Sequence, residues 1–166
     1  MLTGHPHGPS RAIRSSAGAD RVTETLAEFR TKFRVDELLL FRNDSWSVSL
    51  RPGACTLGAG VISANAPHHT LGGIDAGEAA ALVEAVAWFE GRVRTVFGAD
   101  KFNHLALMMV DRHLHLHAIP RYATAREFAG VTWRDAGWPK QPDLGIDQVR
   151  GDALRHVRDA LLADRR

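Results

Sequence analysis

The 166-residue chain is 45% hydrophobic and 24% charged, enough for one domain with a real core and too little for two, and no apolar run approaches the ~20 residues of a membrane span. Twenty-one Lys and Arg against nineteen Asp and Glu leave a net charge of +2 with no contiguous basic block, so neither a large nucleic acid nor a membrane is an expected partner. The single cysteine, Cys55, can form neither an internal disulfide nor a thiolate zinc cage, which points to a reducing, cytoplasmic setting and a fold held by packing.

Residues 1–20 are rich in Gly, Pro, Ser and His without apolar periodicity and read as a flexible tail, leaving 21–166 as a single domain. Val22, Leu26, Phe29 and Phe33 recur at helical spacing and predict a short amphipathic helix. Residues 38–41 and 46–50, where Trp46, Val48 and Leu50 alternate with serines, predict two strands joined at Asn43-Asp44. A break at Arg51-Pro52-Gly53 precedes a third strand over 59–64 and a loop at His68-His69.

From Asp75 the apolar period changes, with Leu82, Val86, Phe89, Val93 and Val96 on one face and Glu78 completing a capping box, so a long helix runs to Phe97. After a turn at Gly98-Ala99-Asp100, residues 105–110 and 112–119 predict two strands joined tightly at Asp111, with Pro120 ending the second. Residues 122–144 read as irregular, clamped to the body by Trp133, Trp138, Pro139 and Pro142, and Ile146, Val149, Ala153, Val157 and Leu161 predict a last helix. The sum is an α+β domain with a five-stranded antiparallel sheet, one long helix and flanking terminal helices.

The chemistry concentrates in His113-Leu114-His115-Leu116-His117. Alternation along a strand projects the three imidazoles from one face and the leucines from the other, and a step of two residues advances about 6.6 Å, so adjacent rings can reach one small ligand. Thr, Lys or Glu would serve a merely solvated face, whereas three side chains titrating near neutrality suggest function. The remaining histidines, His5, His7, His68, His69, His104 and His156, lie in the tail, in loops, at a strand edge or on the last helix and read as non-catalytic. Two chemistries suit the row. It can hold zinc with a third ligand from elsewhere, or its middle ring can attack an electrophile and form a covalent intermediate.

The run from His113 to Ile119 resembles the His-φ-His-φ-His-φ-φ signature (φ, hydrophobic) of the histidine triad superfamily of nucleotide hydrolases and transferases. Pro120-Arg121 resembles the branch that hydrolyses dinucleoside polyphosphates, and Gly137-Trp138-Pro139 is similar to a segment of bacterial members. The resemblance implies that His115 takes a nucleoside monophosphoryl group onto a ring nitrogen, with His113 beside the α-phosphate oxygens and His117 orienting His115. It implies a purine nucleotide, dinucleoside polyphosphate or nucleoside phosphoramidate as substrate, no required metal or cofactor, and a homodimer. It also implies a base-and-ribose cleft built from the first hairpin and third strand. Asn103 and Arg121 are candidate phosphate contacts, against readings as a turn former and a solvated cation. Asp111 is a candidate for the leaving group, against a reading as a turn residue. The chain departs from the family in having Gly58-Ala59 where relatives often carry Gly-His, and in a pre-triad loop read as only Asp111-Arg112. Those departures keep open a nucleotide-binding module without turnover, and the row itself keeps open a zinc-dependent hydrolase using the same histidines.

Overall fold

A computed structural model describes residues 25–163; the predicted tail, the boundary at residue 21 and Val22 lie outside the described residues. The elements are α1 (Leu26–Lys32), β1 (Leu39–Arg42), β2 (Trp46–Leu50), β3 (Gly60–Ala64), α2 (Ala76–Phe97), β4 (Lys101–Leu105), β5 (His115–Arg121), β6 (Arg126–Phe128), β7 (Val131–Trp133) and α3 (Ala153–Leu162), with a 3-10 turn at Leu71–Gly73. Five strands form one antiparallel sheet in the order β1-β2-β3-β5-β4, and β6 and β7 form a separate hairpin.

Both main helices start where their caps dictate. Asp75 accepts the Glu78 N–H at 2.8 Å while the Glu78 carboxylate accepts the Asp75 N–H at 2.8 Å, satisfying two otherwise orphaned donors of α2. Thr25 and Glu28 make the same reciprocal box at the start of α1. Gly98, at φ 67°, ends α2 in a left-handed conformation and returns its N–H to the Arg94 carbonyl.

Alternation along the strands separates the two faces of the sheet. Trp46, Val48 and Leu50 from β2, Ile62 and Ala64 from β3, and Leu114, Leu116 and Ala118 around β5 join Ala85, Phe89, Val93 and Phe97 of α2 in the main core. The Trp46 indole donates to the Glu78 carbonyl at 2.8 Å, and His104 meets Glu90 at 2.9 Å, fixing α2 across this face. The opposite face carries the histidines. α1 lies over it, and Phe29, Phe33, Val35 and Val61 form a small buried cluster apart from the main core.

Five local expectations are corrected. The fourth strand is Lys101–Leu105 rather than 105–110, because Met109 and Val110 stand 87% and 83% exposed and their hydrophobicity serves no strand face. The loop between β4 and β5 therefore spans 106–114, and residues 106–112 precede the first histidine where only two were expected. β5 continues through Pro120 to Arg121. The Pro120 carbonyl accepts from the Thr56 hydroxyl at 2.8 Å, so its missing N–H falls on the side away from β4, past the end of the β3 ladder. Within 122–144, β6 and β7 turn at Ala129 (φ 51°) and Gly130 (φ 73°), a two-residue hairpin whose Ala lacks the usual Asn-Gly signal. The last helix starts only at Ala153, so Ile146 and Val149 precede it. Trp133 is buried, donating to the Phe128 carbonyl at 3.1 Å, whereas Trp138 stays 37% exposed.

Candidate functional site

The register assembles rows of side chains across the face opposite α2. Ser47, Ser63 and His115 make one row, and Ser49, Val61, His117 and Leu105 the next. His113 enters just before β5 begins. The three rings are therefore gathered on one face, as alternation requires, and they are 1%, 0% and 7% exposed in chain order.

Hydrogen bonds fix their tautomers, because a carbonyl oxygen can only accept. His115 Nδ1 lies 2.7 Å from the His113 carbonyl and must carry its proton, which leaves Nε2 with the lone pair. That nitrogen lies 3.3 Å from His117 Nε2, so the shared proton belongs to His117, and His117 Nδ1 becomes an acceptor that finds no hydrogen-bond donor among the described residues. His113 donates from Nε2 to the Ala64 carbonyl at 2.8 Å. The chain of bonds thus aims an unprotonated Nε2 of the middle ring away from its own backbone.

Electrostatics favours neutral rings. Burial lowers the pKa of His117 from 6.5 to about 4, assisted by His115 and the Arg51 cation and opposed by Asp111. Burial also lowers His113, against the raising effect of its bond to Ala64. The site at neutral pH therefore keeps His113 and His117 uncharged.

Sequence reasoning did not anticipate what covers the rings. Phe29 lies 4.7 Å from the His113 ring centre and 5.1 Å from that of His115, and Phe33 lies 5.5 Å from His115 and 6.2 Å from His117. Helical spacing of four puts both aromatics on the inner face of α1, a signal present in the sequence but without any indication of the partner. Lys32, on the same helix, forms an ion pair with Asp111 of the pre-triad loop and so fastens the cover to the loop. Asp111 thereby sits close enough to the site to influence His117.

Asn103 and Arg121 come together at the far end of the sheet, bonded to each other. The Arg121 guanidinium also grips Asp135 through Nε at 2.6 Å and Nη2 at 3.1 Å, and bonds the Lys140 carbonyl at 2.7 Å, with both ionic side chains buried. Arg51, read in the sequence only as part of a break, extends the Ser47–Ser49 alternation onto the same face and bonds the backbone carbonyls of Gly53 and Leu144. A cavity of about 540 Å³ lined by Leu105, Leu107 and residues 141–144 opens beside the end of the His117 row.

As a metal site the row is incomplete. Two nitrogens 3.3 Å apart match an edge of a zinc tetrahedron, roughly 3.3–3.4 Å for Zn–N bonds of 2.0–2.1 Å. Yet no group of three His, Cys, Asp or Glu side chains able to hold a metal occurs among the described residues.

No family model matches the sequence, and no curated protein matches it either. Its fold does match solved structures. A histidine triad protein from Bradyrhizobium japonicum aligns at 21% identity and TM-score 0.60, covering 77% of this chain and 91% of that one. A hypothetical histidine triad nucleotide-binding protein from Sulfolobus tokodaii aligns at 15% identity and TM-score 0.58, covering 75% and 80%. A zinc-bound histidine triad family protein from Mycobacterium smegmatis aligns at 17% identity and TM-score 0.54, covering 80% and 91%. The chain has the fold of histidine triad proteins.

Proposed function

We propose that this protein belongs to the histidine triad superfamily and is a nucleotidyl hydrolase or transferase. On this reading it cleaves the bond between the α-phosphorus of a purine nucleotide and its leaving group, in dinucleoside polyphosphates or nucleoside phosphoramidates. The observation that carries the reading is the His115 tautomer: Nδ1–H is held by the His113 carbonyl at 2.7 Å, so Nε2 keeps a lone pair, which in the closed state faces His117 Nε2 at 3.3 Å.

His115 Nε2 attacks phosphorus, forming an N–P bond as the bond to the leaving group breaks; its electron pair leaves with the departing atom, which takes a proton from solvent. Water then adds to phosphorus, the N–P bond breaks, and the nucleoside monophosphate leaves with His115 restored. His117 gives up its Nε2–H contact with His115 as phosphorus arrives, and that N–H is then available to a phosphoryl oxygen. Neutral His113 and His117 place no imidazolium beside the nucleophile near pH 7. No metal or cofactor is required in this scheme. On this reading Asp111, now paired with Lys32, meets the leaving group once that pair opens, while Asn103 and Arg121 meet phosphate only by loosening their present bonds.

Access requires α1 to withdraw, because Phe29 and Phe33 occupy the volume in front of the rings. A homodimer is part of the reading. β4 is the outer strand of the sheet, and the loop that follows it exposes Leu107, Met109 and Val110, a surface suited to a second copy.

The test is product formation from adenosine phosphoramidate, diadenosine triphosphate and diadenosine tetraphosphate in excess chelator. Wild-type protein should release AMP from at least one of them and His115→Ala from none. Tight binding without product would favour a binding module. Activity lost on chelation and restored by zinc would favour the zinc hydrolase, which the 3.3 Å nitrogen pair makes the specific rival.

A further inference from the structure

Among the described residues, the histidine face contains two fully buried hydroxyls with no hydrogen-bond partner, Ser49 Oγ on β2 and Ser63 Oγ on β3. Their neighbour Ser47 differs, since it donates to Asn65 at 2.6 Å and accepts from Arg42 at 2.9 Å. An orphaned buried hydroxyl costs stability, so an apolar side chain would suit these two positions better if the closed state were the only one to serve. His117 Nδ1 is orphaned on the same face. Three unsatisfied polar atoms thus share one sheet face with the histidine row, and the cover over that row is a seven-residue helix whose cluster is separate from the main core. Such a cover belongs to the least stable part of a fold and opens ahead of the rest.

The register gives each hydroxyl a place. Ser63 is directly opposite His115, and Ser49 is opposite Val61, itself opposite His117. Directly opposed residues hold their Cβ atoms about 5 Å apart. A phosphorus poised for attack lies about 3–3.5 Å from the nucleophilic nitrogen, which brings its oxygens within reach of the Ser63 hydroxyl. Ser49 stands one strand further out and one row along, where the group esterified to that phosphorus must lie.

We propose that Ser63 and Ser49 are ligand contacts, Ser63 donating to an α-phosphoryl oxygen and Ser49 to the ribosyl group, once α1 has lifted Phe29 and Phe33 off the sheet. The proposal rests on the nucleotide reading above and adds two specificity-determining residues to it. It also explains why the closed state tolerates unsatisfied hydroxyls: they are satisfied in the open, ligand-bound one.

The experiment pairs AMP titration calorimetry with thermal unfolding of the full chain, comparing wild type with Ser63→Ala, Ser49→Ala and Ser47→Ala. Loss of a ligand hydrogen bond should raise the AMP Kd about three- to tenfold for Ser63→Ala and for Ser49→Ala. Removing an orphan hydroxyl should leave Tm unchanged or raise it by about 2–4 °C. Ser47→Ala, which breaks existing bonds, should lower Tm. Weaker binding combined with equal or greater stability is a pairing that a merely structural serine does not produce. If wild type binds AMP and both alanine variants bind it within twofold of wild type, the contacts are refuted and the nucleotide reading stands. If Ser63→Ala and Ser49→Ala lower Tm as Ser47→Ala does, the hydroxyls are structural and the proposal fails. If wild type binds no AMP, the nucleotide reading fails and takes the contacts with it.

Discussion

Replacing Phe29 by Ala tests whether α1 is a cover that must open. Phe29 is fully buried within the four-residue cluster under α1 and touches the rings of His113 and His115. Its side chain contributes about 1.5–3 kcal/mol to the closed arrangement. Because that cluster is separate from the main core, the loss falls on docking of α1 rather than on the whole domain, and it shifts the cover toward the open form by roughly 10- to 140-fold. Carbethoxylation by diethyl pyrocarbonate, followed by site-resolved mass spectrometry, reads that shift directly, since His115 reacts only while uncovered. The variant should modify His115 faster by a factor in that range. His68, which is partly exposed beside Glu78, serves as an internal control and should react at the wild-type rate. Equal His115 rates in variant and wild type, with the fold intact by circular dichroism, would refute the idea that α1 gates the site.

Acidification should destabilise the protein. His117 is held near pKa 4 in the folded state against 6.5 ordinarily, so between those values the unfolded chain binds a proton that the folded chain refuses. Stability is full above pH 6.5 and declines as pH falls toward 4, by roughly 3 kcal/mol from this ring, with His113 shifted in the same direction. Urea midpoints at pH 7.5 and 5 check this, and an unchanged midpoint contradicts it. Arg121→Ala leaves the Asp135 carboxylate buried without its cation and should cost about 3–5 kcal/mol in denaturant unfolding; a loss under 1 kcal/mol would show the pair to be dispensable. Lys32→Ala removes a half-exposed ion pair between α1 and the loop, worth at most about 1 kcal/mol. It should speed His115 carbethoxylation up to fivefold at low salt and hardly at all in 1 M NaCl, whereas a salt-independent effect would assign Lys32 another role.

The parts of the fold that local pattern controls were legible. The capping box at Asp75 and Glu78 and the apolar stripe of α2 are contained within the helix itself, and the Asn43 turn holds its hairpin by accepting the N–H groups of Ser45 and Trp46. Hydrophobicity misled where it served no strand face. Leu107, Met109 and Val110 suggested a strand, while the true β4 is a partly polar outer strand with Asn103 and His104 at its centre. At the site, the alternation of His113, His115 and His117 placed the rings on one face, a purely local consequence of the pleat. What remained hidden were contacts between distant segments. Phe29 reaches across more than eighty positions to His115, and Asp135 meets Arg121 from a loop whose path no periodicity encodes. Ser47 and Ser49 were visible as an alternation in β2, but that Ser47 finds partners while Ser49 and Ser63 of β3 do not is decided by contacts between segments.

The most direct test of the central claim is a search for a nucleotidyl group on the middle ring during turnover. Protein mixed with a labelled dinucleoside polyphosphate or nucleoside phosphoramidate is quenched, digested and mapped by mass spectrometry. An adduct on His115 is expected that survives alkali, is lost in acid and is absent from His115→Ala. Turnover by His115→Ala at the wild-type rate, or wild-type turnover with an adduct on another residue, would contradict it.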